Sequence, residues 1–540
     1  MNINYTTAGL LQDNWAEQRR QESDRVNTSH SNSHMDKYDR QIRLWSTAGQ
    51  HALAQARVAF VGSLSAATTE ILKNLVLPGI GKVVIIENDD AQSGSTTTTT
   101  TDDNHSSAAN FFIDNEGIPE GTTRAQCIIR NISLMNPDVV IEIEDDRHIQ
   151  SKVWWNQFNC VICAGTCDAD LANILWGLDV PLVCVQSVGF YAYLRIQMRE
   201  HTIVDTHEPN LIDLRLDRPW KELQELADSI DLNATEGDAF QGIPYSLLLT
   251  KLIREPDLNL KSTSELRNHI KSLYKTGDEE NLNEAYAKAY MIMKDSSTLS
   301  EHVKHILNDK RTDNITPESS PFWILCNALK QFYEMHGVPP LSGVLPDMHS
   351  DTAEYIKLKQ LYTDKYNADK EKIKQYADHI RNDIPDNLLT QFVKNCRFLK
   401  VIDGTKMDQN EDIQRALDMI DDFSSTSNKN VVLLALKLYE QFIKEHSRAP
   451  SPNPKDRSLL RTLAISILCK HLSSKAFPQD LDKVLDEICR YSGQELHSTS
   501  ALIGGVTAQE VVKIVTGQYV TVDNTFLFDG VTGSGAVFKL

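Results

Sequence analysis

Between residues 37 and 199 the chain alternates short apolar runs with amphipathic stretches. The apolar runs are VAFVG, VVIIE, VVIEIE, CVICAG and PLVCVQSVG, and segments such as ATTEILKNLVL and TRAQCIIRNISLM separate them. Short apolar runs indicate buried strands, whereas apolar positions three and four residues apart indicate helices. The alternation predicts βαβ units, and therefore a largely parallel sheet covered by helices.

Helical patterns replace the strands from about residue 209 to residue 490, as in SPFWILCNALKQFYEMHG and NVVLLALKLYEQFIKEHS. After this block, ALIGGVTAQEVVKIVTGQYV predicts a helix with a glycine pair near its start, and NTFLFDG predicts a returning strand. The predicted fold is therefore α/β: a Rossmann-like domain over 35–205 and 491–540, interrupted by a large all-helical insertion over 206–490.

Two segments lack this periodicity. Residues 1–34 are rich in Asn, Ser, Gln and His, which predicts a disordered N-terminal extension. The stretch GSTTTTTTDDNHSS at 94–107 is polar and of low complexity, which predicts a loop after the second strand.

The composition narrows the class of protein. With 540 residues the chain is too long for one hydrophobic core. Its net charge of −19 argues against nucleic acid and anionic membranes as main partners, because both would repel it.

Nine cysteines without a regular framework indicate reduced thiols. The start lacks a signal-peptide pattern, and no run of about 18 apolar residues occurs, so we expect a cytoplasmic or nuclear protein.

The turn after the first strand is where a nucleotide-binding fold carries a glycine-rich phosphate loop. The spacing G-x-G-x-x-G/A places its three positions at Gly62, Leu64 and Ala67. The second glycine lets the backbone approach a phosphate, and Leu64 places an isobutyl group there instead. Glu87 ends the second strand, where an acid would bind a ribose, although a solvated acid is the alternative. The loop favours a Rossmann-like unit kept for its architecture over a tight phosphate site.

The segment KYDRQIRLW at 37–45 predicts a helix with one apolar stripe. Tyr38, Ile42 and Trp45 form the stripe, while Arg40 and Arg43 point to other faces. An arginine held here would suit the charge of a nucleotide in a neighbouring subunit. Periodicity alone favours the alternative, a solvated or salt-bridged surface arginine.

Cys160, Cys163 and Cys167 raise the question of a metal site. Cys160 and Cys163 have C-x-x-C spacing, but they lie on a predicted strand, where positions three apart face opposite sides. A second C-x-x-C does not follow to complete four ligands. We therefore predict buried thiols and no metal.

The chain resembles the activating enzymes of ubiquitin-like proteins, which are of the ThiF/MoeB type. The matching segments are KYDRQIRLW, EILKNLVLPGIGKVVIIEND, NPDVVIE and the closing ALIGGVTAQEVVKIVTGQYV with NTFLFDG. SPFWILCNALKQFYEMHG followed by GVLPDMHSDTAEYIKLKQLY is similar to the helical insertion of the regulatory, non-catalytic subunits of heterodimeric neddylation-activating enzymes. The resemblance covers about residues 36–540.

The chain departs from the catalytic members of this family at each nucleotide-binding position. The second loop glycine is Leu64, and the Asn-x-x-Arg-Gln segment that holds phosphates is reduced to Asn110–Phe112. The family's lysine position matches Arg124, and its magnesium-binding aspartate falls near Thr166. The helical insertion corresponds to a catalytic-cysteine domain, but the thioester-forming cysteine has no recognisable counterpart. The resemblance implies a pseudo-adenylation domain that binds neither ATP nor metal.

The resemblance also implies a function shared between two subunits. Arg40 matches the arginine that reaches into the partner's ATP site. A catalytic partner subunit would bind MgATP, adenylate a ubiquitin-like modifier, form a thioester with it and pass it to a conjugating enzyme. This chain would be inert alone. The alternatives are a regulatory subunit for another modifier, an NAD(P)-binding oxidoreductase supported by Gly62 and Glu87, or a scaffold that uses its helical block.

Overall fold

The computed structural model describes residues 37–86, 110–113, 122–144, 149–165, 167–207, 212–232, 238–254, 262–274, 279–420, 429–468 and 477–540. The described residues divide into two compact units. The first unit comprises those up to Thr202 together with Val401–Leu540, and the second comprises those within Ile203–Lys400. Some of the predictions concern positions outside the described residues, namely the N-terminal extension at 1–34, the loop at 94–107, Glu87 and Thr166.

A sheet of eight strands forms the centre of the first unit. The described residues form ten strands, of which eight make up this sheet; the ten are β1 (Arg57–Val61), β2 (Lys82–Ile86), β3 (Val140–Glu144), β4 (Cys160–Ala164), β5 (Leu182–Val188), β6 (Tyr191–Gln197), β7 (Glu200–Ile203), β8 (Lys400–Asp403), β9 (Thr525–Asp529) and β10 (Ser534–Phe538). The sheet order is β10-β9-β6-β5-β4-β1-β2-β3, while β7 and β8 form a separate pair. Strands β3, β2, β1, β4 and β5 are parallel, and β6, β9 and β10 extend the sheet antiparallel. The predicted α/β fold is thus confirmed.

The helices fall into three groups along the chain. The first group is α1 (Asp39–Gln55), α2 (Ala66–Val76), α3 (Arg124–Ser133), α4 (Lys152–Trp155) and α5 (Ala169–Leu178). The second group is α6 (Lys221–Asp228), α7 (Asp238–Gln241), α8 (Tyr245–Ile253), α9 (Thr263–Ser272), α10 (Glu280–Lys288), α11 (Glu301–Leu307), α12 (Lys310–Asp313), α13 (Pro321–His336), α14 (Thr352–Asp378) and α15 (Asp386–Asn395), with a 3₁₀ turn at Ala289–Met293. The third group is α16 (Gln409–Asp418), α17 (Lys429–His446), α18 (Pro454–Leu468), α19 (Gln479–Tyr491) and α20 (His497–Thr516).

Both faces of the central strands are buried. Val58 and Phe60 of β1 pack with residues of α1, α2, α3 and α20, whereas Ala59 and Val61 pack with residues of α4 and α5. A parallel strand covered on both faces needs apolar residues at successive positions. This burial explains why the strands stand out in the sequence as continuous apolar runs.

The helical segment divides differently from the single block predicted at 206–490. Helices α16 to α19 belong to the first unit, where α17 packs against Tyr193 of β6 and Leu527 of β9. The second unit has a separate core, which includes Leu248 of α8 and Tyr362 of α14. An apolar helix such as α17 is recognisable as buried from its sequence, but the periodicity does not say which neighbour covers it.

Helix α20 lies against α2 at its glycine pair. A Cβ atom on Gly504 would lie 2.6 Å from the Cβ of Glu70 and 3.1 Å from the carbonyl oxygen of Ala67, whereas a Cβ on Gly505 would meet no atom within 4 Å. We expect Gly504→Ala to destabilise the chain by about 2 kcal/mol, because the two helices would have to separate. Gly505→Ala is the matched control and should be neutral or stabilising by about 0.5–1 kcal/mol. Thermal denaturation of both variants tests this, and equal shifts would contradict it.

Candidate functional site

The degenerate loop runs from the C-terminal end of β1 into α2. Gly62 has a φ of +102°, and its N–H donates to the carbonyl oxygen of Ile86 at 3.1 Å. A Cβ at this position would lie 3.2 Å from the carbonyl oxygen of Ala164 on β4. Both the positive φ and the close approach require glycine. The first glycine of a phosphate loop is therefore needed by the backbone, whether or not a nucleotide binds.

Leu64 lies in the core of the first unit. Its side chain is 1% exposed and belongs to the same apolar cluster as Ile71 of α2 and Ile503 of α20. The sequence predicted an isobutyl group in the phosphate position, whereas the structure turns that group inward, where burial stabilises it. Ala67, at the third loop position, is 2% exposed and faces Gly504. The residues that replace the phosphate loop thus support helix packing.

The carboxylate of Glu495 occupies the N-terminus of α2. One carboxylate oxygen accepts the N–H of Ala67 at 2.9 Å and the hydroxyl of Ser500 at 3.3 Å, and the other accepts the hydroxyl of Ser65 at 3.0 Å. Burial raises the pKa of Glu495, and these donors offset part of that effect. Rossmann-like folds bind phosphate at this helix N-terminus. The chain fills this anion-binding position with its own side chain.

The reduced Asn110–Phe112 segment is tied to α2. The Asn110 amide nitrogen donates to the Thr69 hydroxyl at 3.0 Å, and the Asn110 amide oxygen accepts the N–H of Phe112 at 3.0 Å. Phe111 is 74% exposed, and its ring meets that of His497 edge to face, with centroids 3.8 Å apart. Both polar groups of the Asn110 side chain have partners within the fold, and the aromatic residues bring no cation for a phosphate.

Arg124 lies beside the loop, at the start of α3. Its Nε donates to the carbonyl oxygen of Leu64 at 3.4 Å. One cation therefore lies beside the loop, while the N-terminus of α2 is occupied by the Glu495 carboxylate. Thr166, the position matched to the magnesium-binding aspartate, lies outside the described residues.

The first half of helix α1 is held in place by Tyr38 at its start and by Trp45 near the middle of the helix. Tyr38, just before the helix, is buried, and its hydroxyl accepts a hydrogen bond from the Asn136 amide at 2.9 Å. The Trp45 indole N–H donates to the Gln50 side chain at 3.0 Å, next to a kink where Ser46 has a φ of +64°. These anchors confirm the helix and the buried ends of the predicted apolar stripe.

Arg40 projects from the exposed side of this anchored segment. It has neither a hydrogen-bond nor an ion-pair partner among the described residues, whereas Arg43 pairs with Asp39 at 2.8 Å. Leu44, four residues beyond Arg40, is 54% exposed. Positions four apart share a helix face. A guanidinium with no polar partner among the described residues and an exposed leucine therefore lie side by side on α1.

The described cysteines of the second unit are poor candidates for a thioester. Cys326 and Cys396 are 0% and 2% exposed, and burial raises the pKa of Cys396 to about 12. A nucleophilic cysteine instead needs access to its substrate and a lowered pKa.

In the described part of the chain, no helix is both long enough and apolar enough to cross a bilayer.

Comparison with known proteins agrees with this architecture. The model of the ThiF family matches residues 38–540. The chain therefore belongs to the ThiF family, and within it to the group of NEDD8-activating enzyme E1 regulatory subunits, as the following relatives show.

Three curated relatives carry that name. The regulatory subunit of Drosophila melanogaster is 33% identical over 93% of this chain and 97% of its own length. The AXR1 subunit of Arabidopsis thaliana is 31% identical over 93% of this chain and 96% of its own length. The Xenopus laevis subunit is 30% identical over 93% and 98%. The similarity thus extends over both units described above.

Proposed function

We propose that this chain is the regulatory subunit of a heterodimeric NEDD8-activating enzyme and holds no ATP of its own. The proposal that the chain holds no ATP rests on the Glu495 carboxylate, which lies at the N-terminus of α2 and is hydrogen-bonded to Ala67 and Ser65. A triphosphate at this position would meet a carboxylate in place of free donors, and like charges repel at such distances. The names of the relatives support the assignment as a regulatory subunit.

The catalytic partner would supply the complete nucleotide site. It would bind MgATP, adenylate the C-terminal glycine of the modifier, form the thioester and deliver the modifier to a conjugating enzyme. This chain would contribute Arg40 from α1 to the partner's ATP site, where a guanidinium suits the developing phosphate charge. The exposure of Arg40 supports that role, because moving it into the partner's site would break no hydrogen bond or ion pair to a described residue.

The oxidoreductase alternative is disfavoured by the same carboxylate. A dinucleotide places its pyrophosphate at this helix N-terminus, so the Glu495 carboxylate would disfavour NAD(P) for the same reason that we propose for ATP. Gly62, one of the two residues that supported that alternative, is explained by its backbone conformation.

Reconstitution tests the proposal. The chain is mixed with the catalytic subunit, MgATP and NEDD8, and in parallel with ubiquitin or a SUMO protein. We expect a thioester-linked adduct on the partner, with NEDD8 only, and neither an adduct nor a modifier adenylate when this chain is incubated alone. A modifier adenylate formed by this chain alone would refute the inert pocket, and a thioester with a different modifier would refute the assignment to neddylation.

A further inference from the structure

Three cysteine sulfur atoms converge at the carboxyl edge of the sheet. Cys163 of β4 and Cys184 of β5 are register partners on adjacent parallel strands. Cys167 follows β4 on the segment that leads into α5. The three Sγ atoms lie within 4.8 Å of one another, and none of the three cysteines is in a disulfide bond. The sequence spacing groups Cys160, Cys163 and Cys167, but it gives no sign of Cys184, which only the pairing of β4 with β5 brings close.

The spacing of these sulfurs suits a single bound ion. Zinc–sulfur bonds are about 2.3 Å long, so sulfurs sharing one tetrahedral ion lie about 3.8 Å apart. Closing from the observed separations of at most 4.8 Å requires each pair of sulfurs to approach by at most about 1 Å. Two of the ligands are held by the sheet, and Cys167 is only partly buried on a connecting segment, so it is the ligand free to adjust.

The chemistry of the cluster agrees with its geometry. All three donor atoms are cysteine sulfurs, the ligand type that soft cations select. Thiolate is the form that binds soft cations such as Zn²⁺. Cys160 provides the contrast, because its side chain packs on the opposite face of the sheet from Cys163 and Cys184.

We propose that Cys163, Cys167 and Cys184 bind one Zn²⁺ ion. Three protein ligands leave one tetrahedral position, which a water molecule would take on the partly exposed side of Cys167. Asp168 is the adjacent carboxylate, but it accepts the N–H of Asp170 at 3.2 Å as the N-cap of α5. The odd number of thiols also favours an ion over a disulfide, since any one pairing would leave the third thiol unused.

Cobalt serves as the spectroscopic probe for this site. The reduced full-length chain, freed of metal under anaerobic conditions, is titrated with Co²⁺ and then with Zn²⁺. We expect one Co²⁺ per chain, with thiolate-to-cobalt charge transfer in the near ultraviolet and tetrahedral bands in the visible, and displacement by Zn²⁺. Cys167→Ser should remove the charge-transfer signal in part and weaken binding at least about 10-fold.

Cys160→Ala is the matched control, because it removes a buried thiol of the same strand on the other face, and it should bind as the unmodified chain does. Equal weakening in both variants, or a spectrum without thiolate charge transfer, would overturn the proposal. A disulfide between two of the three cysteines in the chain purified without reductant, found by mass spectrometry, would also overturn it. These measurements need no partner subunit and no modifier, so their outcome is independent of the proposed function.

Discussion

Arg40→Ala is expected to lower ATP–pyrophosphate exchange by the reconstituted heterodimer by about 100-fold, the usual cost of removing one donor that stabilises transition-state charge. The fold itself should tolerate the change, because Arg40 is exposed and has no partner among the described residues. Exchange is measured with radiolabelled pyrophosphate, and size-exclusion chromatography of the two subunits checks assembly. Arg40→Lys should recover only part of the activity, since an ammonium lacks the planar fork of donors.

Arg43→Ala is the matched control for this experiment. Arg43 lies one turn further along α1, carries the same charge and already pairs with Asp39. Exposed pairs of this kind contribute little, so its removal should change exchange less than about 3-fold. Unchanged exchange in Arg40→Ala would refute the role in the partner's site. A loss of co-elution would instead assign Arg40 to assembly.

The sequence predicts those parts of the fold that rest on local patterning. Strand β1 and helix α2 are recognisable because a parallel strand buried on both faces is apolar throughout and the following helix is amphipathic. The position of Leu64 in the loop was predicted, but the inward direction of its side chain depends on α20, whose Ile503 belongs to the same cluster. The direction in which a loop side chain points depends on tertiary packing, and the local sequence pattern does not predict it.

The decisive residue of the candidate site has no local pattern at all. Glu495 lies 430 positions from Ser65, to which it is hydrogen-bonded, and in the sequence it is one acid among 74. Cys184 escaped notice for a similar reason, because its position opposite Cys163 follows from the pairing of β4 with β5. Both residues take on their chemical meaning only when the sheet brings distant segments to one edge.

Glu495→Ala is expected to destabilise the chain by about 3 kcal/mol. The variant leaves the N–H of Ala67 and the hydroxyls of Ser65 and Ser500 without their acceptor and removes a negative charge from the N-terminus of α2. An unsatisfied buried donor costs about 1–3 kcal/mol, and the lost interaction with the helix dipole adds about 0.3–1 kcal/mol. Glu495→Gln keeps the size and one acceptor oxygen and should lose about 1 kcal/mol. Thermal denaturation at constant ionic strength measures both variants.

An added anion distinguishes a stand-in for phosphate from an ordinary buried hydrogen bond. If Glu495 fills an anion-binding position, its removal opens that position, and inorganic phosphate or pyrophosphate should bind there and restore part of the lost stability. At ten times its dissociation constant the anion would return about 1.4 kcal/mol to Glu495→Ala. The unmodified chain, with its own carboxylate in place, should gain nothing beyond the effect of matched sodium chloride. Equal stabilisation of the two proteins would show that the carboxylate does not occupy a phosphate position, and the explanation of the inert pocket would then fail even if Arg40 acts as proposed.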